Sequence, residues 1–276
     1  MRYFWEKELI HNLKEKIKKG GRIFLFLDYD GTLTSIRRIP ELALLFPSTR
    51  KSLESLVSVP RVVMTIVSGR ALTEITRLVN LDILNYVGNH GLEMRVGSSE
   101  YKLIQAKRIK ERMSSLFRKI KGKTSRFSGI LVENKGLTLS IHYRMVKEDC
   151  LPELKETVNS VVSPFKRDYE LREGKKVLEI KPKTKRNKGW AVNKIIQQYR
   201  SPKKTRDLYL YFGDDLTDED AFQLINSKRG YSILVDKKNE CSKAHFYLKN
   251  PKEVHLFLSW LKKILTSNLR RKPWIT

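Results

Sequence analysis

Five short apolar runs in the chain end abruptly in polar residues: "IFLFLDYDG", "RVVMTIVSGR", "ILNYVGNHG", "LYLYFGDD" and "YSILVD". Near-continuous runs of this length suit strands buried on both faces, as in a parallel sheet. Helical spacing follows three of them, in "STRKSLESLVS", "ALTEITRLV" and "TDEDAFQLINS". The alternation predicts a Rossmann-like open α/β sheet. A further amphipathic helix is expected near the N-terminus. Its apolar positions are Phe4, Leu9, Leu13 and Ile17, and Gly20-Gly21 end it.

The middle of the chain follows another pattern. "LIQAKRIKERMSSLFRKI" reads as a helix with Ala106, Ile109, Met113, Leu116 and Ile120 on one face. "GILVENKGLTLSIHYR" reads as a hairpin turning near Lys135-Gly136, "LPELKETVNSVVSPF" as a helix, and "YELREGKKVLEIKP" as a hairpin turning near Gly174. The order αββαββ over residues 102–182 predicts an inserted α+β domain that splits the core into 1–101 and 183–276. Strand alternation puts Leu137, Leu139, Ile141 and Tyr143 under the helices. Thr138, Ser140, His142 and Arg144 then share the opposite face with Glu133, Glu179 and Lys181. Such a face is either a solvent face, common in antiparallel sheets, or a lid looking down on the core.

Composition changes little of this. With 276 residues, 40% of them hydrophobic, the chain can build a core, and no apolar run approaches the roughly 18–20 residues that span a bilayer. Cys150 and Cys241 form no metal-type spacing or disulfide framework. With no apolar signal region either, a cytoplasmic protein is expected. The net charge of +26 is spread along the chain, with clusters such as "KPKTKRNKGW" and "SPKKTR" in expected loops. Charge of this kind speaks to solubility and association rather than to a site. It leaves a basic nucleic-acid-binding protein on an enzyme-like fold as an alternative class, supported by charge alone.

The chemistry sits at the strand ends. Open α/β sheets bind ligands outside the carboxyl ends of their strands. Those ends are Asp28 and Asp30, Ser68-Gly69-Arg70, Asn89-His90-Gly91 and Asp214-Asp215. Asp28 and Asp30 lie two apart, so both can face one site while Tyr29 points away. Paired carboxylates repel unless one shifts its pKa or a cation neutralises it. An ionised aspartate can attack phosphorus, and its neighbour can move protons. A lone D-x-D is most often a turn. Asp214 and Asp215 strengthen it, because they also end an apolar strand, with Asp218 opening the next helix. Thr217 as an N-cap would explain the acids of that helix but not the two at the strand end. Asp28, the backbone carbonyl of Asp30 and Asp214 form a set that suits Mg²⁺. Ser68 and the Gly69 amide open a helix, where an anion is welcome. Lys188 also starts a helix, where a lysine needs a counter-charge.

Four stretches in order, "DYDGT", "VSGR", "NKG" and "GDDLTDED", resemble the haloacid dehalogenase superfamily of phosphatases. The αββαββ insertion resembles its larger cap type. Adding "GNHGLE", "VENKGLTLSIHYR", "LEIKP" and "NKGWAV", the chain from Leu27 to Phe222 resembles the trehalose-6-phosphate phosphatase family. That resemblance implies Asp28 as nucleophile, Asp30 as general acid/base, and Ser68 and Lys188 as phosphoryl ligands. It implies Mg²⁺ on Asp28, Asp30 and Asp214, with Asp215 and Asp218 in support. It implies sugar contacts from Glu133, Lys135, Arg144 and Glu179 in the cap, and substrate-binding residues Arg70, Asn89 and His90 in the core. The expected activity is hydrolysis of trehalose 6-phosphate, the last step of trehalose biosynthesis. Sucrose 6-phosphate or another sugar phosphate is the alternative substrate. A stand-alone monomer is expected, with a small-molecule sugar phosphate as partner and neither membrane nor nucleic acid.

Overall fold

The computed structural model describes residues 1–103, 105–199, 206–237 and 239–269. Ile104 and the "SPKKT" part of the second basic cluster lie outside the described residues. The chain opens with β1 (Arg2–Tyr3), α1 (Lys7–Lys18), β2 (Ile23–Asp28), α2 (Pro47–Val57), β3 (Val62–Val67) and α3 (Leu72–Val79). Next come β4 (Asn85–Gly88), β5 (Glu93–Val96) and β6 (Ser99–Lys102). A separate unit follows: α4 (Ala106–Thr124), β7 (Leu131–Asn134), β8 (Leu139–His142), α5 (Leu151–Val162), β9 (Tyr169–Gly174) and β10 (Val177–Pro182). The chain then adds α6 (Lys188–Gln198), β11 (Leu208–Gly213), α7 (Glu219–Ser227), β12 (Tyr231–Val235), β13 (Phe246–Leu248) and α8 (Pro251–Leu269).

The large sheet has the order β1-β13-β12-β11-β2-β3-β4-β5-β6. It is parallel from β1 to β4, and the β5–β6 hairpin adds an antiparallel edge. Every residue of β2 is buried. Leu25 and Leu27 pack into a core with α1, α2, α3 and α8. Phe24 and Phe26 pack on the other face, against α6 and α7. That two-sided burial is why the run shows no alternation. Phe4 falls outside the N-terminal helix expected of it. It follows β1 and is itself fully buried, among Phe212, Tyr231 and Phe257.

The second sheet runs β7-β8-β10-β9, all antiparallel. Its apolar face and the helices α4 and α5 enclose a core of their own, including Met113, Leu139, Ile141, Leu154 and Ile180. Its polar face is not open to water. Thr138 and Ser140 are fully buried, because that face lies on the carboxyl ends of the large sheet.

Two helices carry strand-end chemistry and pack on each other, α6 and α7. Gly189 makes this approach possible, since a Cβ there would lie 2.6 Å from the Asp220 carbonyl oxygen. Replacing a helical glycine by alanine ordinarily stabilises, by up to about 1 kcal/mol in a helix interior. Here the clash is with backbone, which cannot swing aside. Gly189→Ala is expected to destabilise the fold by about 1–3 kcal/mol, read from the midpoint of urea unfolding. An unchanged or raised midpoint would show that the helices separate freely.

Candidate active site

β2 ends on Asp28, whose Oδ1 accepts a hydrogen bond from the Lys188 ammonium at 2.8 Å. The same ammonium donates to Asp218 Oδ1 at 2.8 Å. Lys188 opens α6, where the helix dipole disfavours a cation. The two carboxylates supply the counter-charge, and Asn187 caps the helix by accepting from the Trp190 amide at 2.7 Å. Asp218 is fully occupied. It also accepts from the Tyr211 hydroxyl at 2.5 Å and from the amides of Asp214 and Asp215 at 3.2 and 3.1 Å. Asp215, not Thr217, is the N-cap of this turn, in a capping box with Asp218.

Carboxylate oxygens of Asp28, Asp214 and Asp218 lie within 4.8 Å of one another, all buried. Gly31 is the residue that lets β2's end come this close, since a Cβ there would lie 2.2 Å from the Asp214 carboxylate. Burial, with Asp218 and Asp214 beside it, pushes the Asp28 carboxyl well above its ordinary range despite Lys188. Burial and Asp218 likewise push Asp214 up to about 7, against the pull of Lys175. Fully ionised, the three buried carboxylates would outnumber the Lys188 and Lys175 ammoniums that touch them. Hard oxygen donors in surplus suit Mg²⁺.

Asp30 is half-exposed and held by a fork: Arg70 Nε and Nη2 donate to its two oxygens, each at 2.7 Å. Arg70 also donates to Glu74 and, at 2.7 Å, to the Pro40 carbonyl. Arg70 is thus spent on protein groups, although its side chain reaches the cleft. Tyr29 points into the apolar core, its hydroxyl donating to the Ala43 carbonyl at 2.7 Å.

The small sheet roofs these groups. Glu133, Lys135, Arg144 and Glu179 all line the cleft beside Asp28, Asp30, Lys188 and Asp214. Glu179 Oε1 lies 3.0 Å from His90 Nε2 and 3.7 Å from the Lys135 ammonium. Burial opposes its ionisation, but His90, Lys135 and the Ser140 hydroxyl outweigh that and hold its carboxyl well below the usual range. Glu133 pairs with His142 at 3.1 Å; burial opposes its ionisation, but His142 and Lys135 outweigh that and hold its carboxyl below the usual range. Arg144 donates to the Lys175 carbonyl at 3.0 Å. His90 Nδ1 is buried without a partner.

Two expected contacts do not face the cleft. Asn89 is fully buried, and its side chain is saturated by Glu93, the Lys135 carbonyl and the Thr138 hydroxyl, the last at 2.7 Å. It joins the large sheet to the turn of the small one. Ser68 lies just behind the wall, 1% exposed, accepting from the Arg70 amide at 3.1 Å. The cleft also gathers residues that sequence patterns did not single out. Arg37 and Arg38 come from the loop after β2. Lys175, in the turn after β9, donates to the Asp214 carbonyl at 2.7 Å, the Asp214 carboxylate at 2.9 Å and Asp236 at 2.9 Å.

With this geometry in place, comparison with known proteins is informative. Residues 26–252 match the trehalose-phosphatase family model. The chain belongs to the trehalose-phosphatase family. Trehalose-phosphate phosphatase B of Arabidopsis thaliana is 33% identical over 253 residues, covering 88% of this chain and 67% of that protein. Trehalose 6-phosphate phosphatase RA3 of Zea mays is 31% identical, covering 92% and 73%. Among solved structures, the C-terminal domain of C. albicans trehalose-6-phosphate phosphatase superposes with a TM-score of 0.80 at 25% identity, covering 92% of this chain and 96% of that one. As a trehalose-phosphatase the chain is a phosphatase with a haloacid-dehalogenase-type fold and cap, as its motifs implied. Among the described residues no helix is long and apolar enough to cross a membrane.

Glu179 offers a pH test within this trehalose-phosphatase cleft. Its folded-state pKa is depressed, so its stabilisation is complete above the ordinary carboxylate value of about 4.3. That stabilisation is lost as pH falls below that value. Glu179→Gln is expected to cost about 1–3 kcal/mol near neutrality, with the gap to wild type narrowing toward about pH 3. Calorimetric unfolding across that range checks it, and a gap that widened in acid would contradict the ion-pair account.

Proposed function

We propose that this cleft hydrolyses trehalose 6-phosphate to trehalose and phosphate through a covalent phosphoryl group on Asp28, with Mg²⁺ as cofactor, as the last step of trehalose biosynthesis. The observation that carries the reading is the buried Asp28–Lys188–Asp218 cluster, with Asp214 beside it, under a roof bearing Glu133, Lys135 and Glu179. The unit spanning 102–182 serves as the cap. A nucleic-acid polymer does not fit under it, since the cleft encloses only about 160 Å³.

In the first step an Asp28 oxygen attacks phosphorus, the phosphorus–sugar oxygen bond breaks, and the leaving oxygen takes a proton from the Asp30 carboxyl. In the second, the Asp30 carboxylate takes a proton from water, the water oxygen attacks phosphorus, and the bond to Asp28 breaks. Both aspartates are returned to their starting forms. The Arg70 fork parks Asp30 beside Asp28, and Asp30 turns out of it when protonated. Lys188 holds the nucleophile and offers its charge to the phosphoryl oxygens. Ser68 Oγ accepts the Arg70 amide from just behind the wall, and by turning outward it donates its proton to another of them. Mg²⁺, held by Asp28, the Asp30 carbonyl and Asp214, would neutralise phosphoryl charge that otherwise repels these carboxylates. Asp215 and Asp218 support that set through the turn they cap.

The cap contributes specificity. Carboxylates and an ammonium accept and donate to sugar hydroxyls, and a sugar that leaves them unpaired is penalised. A cleft of about 160 Å³ is smaller than the roughly 300–1,000 Å³ of ligand pockets. The cap therefore lifts for entry and release, breaking the Lys175 tie to Asp214.

Phosphate release is expected to be fastest from trehalose 6-phosphate, beside glucose 6-phosphate and sucrose 6-phosphate. It should vanish with EDTA and return with Mg²⁺. Equal rates on all three sugars would remove the substrate assignment. Asp28→Asn, nearly isosteric, is expected to lose turnover by about 10³-fold or more while unfolding at a temperature close to wild type. Lys175→Met removes a cation from Asp214 and a tether from the cap. It should tighten Mg²⁺ binding in a calorimetric titration and speed amide exchange in the 169–182 hairpin. Weaker Mg²⁺ binding would mean that Lys175 orders the site rather than competing for it.

A further inference from the structure

A second cavity, of about 430 Å³, lies where the chain enters and leaves the small-sheet unit, and it shares no lining residue with the cleft. Five cations line it: Arg108 and Arg112 from α4, Arg167 before β9, and Lys183 and Arg186 from the return segment. Asp168 is the one carboxylate on its wall among the described residues. None of the five cations forms an ion pair with a carboxylate among the described residues, although neighbours such as Arg126, Arg172 and Lys181 do.

Left to itself this arrangement is unfavourable. Arg108 and Arg112 are four apart on one helix face, where like charges repel. Arg108 also sits in the first turn of α4, a helix with no acid there and no side chain capping it. The dipole opposes a cation at that end. Two of the guanidiniums are nonetheless held in place, Arg112 over the Phe165 ring at 4.7 Å and Arg186 over the Trp190 ring at 4.6 Å. Guanidiniums gathered on one cavity wall without carboxylate partners are the chemistry that recognises phosphate groups.

We propose that this cavity binds a small phosphorylated anion carrying at least two negative charges. Its volume falls within the roughly 300–1,000 Å³ range of small-molecule pockets. The occupant bridges α4, in the small-sheet unit, and the segment 183–186, which runs directly into Lys188. It therefore ties the two chain crossings together at the base of that unit.

Pyrophosphate is the probe, titrated calorimetrically into the full chain in Mg²⁺-free buffer. One saturable site is expected on the wild type. The pair Arg108→Glu and Arg112→Glu should weaken it at least tenfold. Arg118→Glu with Lys123→Glu makes the same charge change on the same helix outside the cavity, and should leave affinity unchanged. If the first pair lowers the unfolding temperature, Arg167→Ala with Lys183→Ala carries the same expectation. No saturable binding, or equal weakening by both glutamate pairs, overturns the proposal in favour of diffuse attraction. A single-stranded RNA that binds more tightly than pyrophosphate, and loses that binding in the Arg108→Glu, Arg112→Glu pair, would assign the face to a polymer instead.

Discussion

One ammonium organises the carboxyl end of the large sheet. Lys188 joins Asp28, on β2, to Asp218, which opens α7, at 2.8 Å each. Asp218 in turn orders the chain after β11 through two amides and the Tyr211 hydroxyl. Remove the ammonium and two buried carboxylates are left without their counter-charge, at a cost of about 3–5 kcal/mol. The strand ends, the capped α6 and the acidic turn are therefore one electrostatic unit. Its geometry depends on close approach of backbone, which Gly31 and Gly189 permit.

The field around that unit is uneven. The chain carries +26 overall, yet its catalytic floor is a cluster of buried acids. Arg37, Arg38, Arg144 and Lys175 stand between the two, around the cleft. A net positive surface attracts anions in general, whereas the buried acids favour a cation, and the Lys175 ammonium already meets part of that charge at Asp214.

The central strands were readable because burial on both faces leaves an unbroken apolar run. β2, β3, β4, β11 and β12 all coincide with such runs. The edges were not readable. β6, "SEYK", is exposed throughout and has no pattern to read. β1 is two residues long and exists because it pairs with β13, far along the chain. The small sheet's polar face could be assigned from alternation, which grouped Glu133, Arg144 and Glu179 on it, but spacing left open whether that face met solvent or the core. Partner choice could not be read. Arg70 points toward the cleft as its motif implied, but Asp30, Glu74 and Pro40 claim its donors. Asn89 follows a strand end and still faces the seam between sheets. Lys175 sits in a hairpin turn, where period-two spacing gives no direction.

The polar underside of the small sheet has a consequence beyond recognition. Thr138, Ser140, His142, Glu133 and Glu179 form a surface that is covered in this state yet contains almost no hydrocarbon. Its oily residues are sealed separately, under α4 and α5. The lifting proposed above would wet hydroxyls, imidazoles and charges that water accommodates readily, so opening would create no adhesive patch.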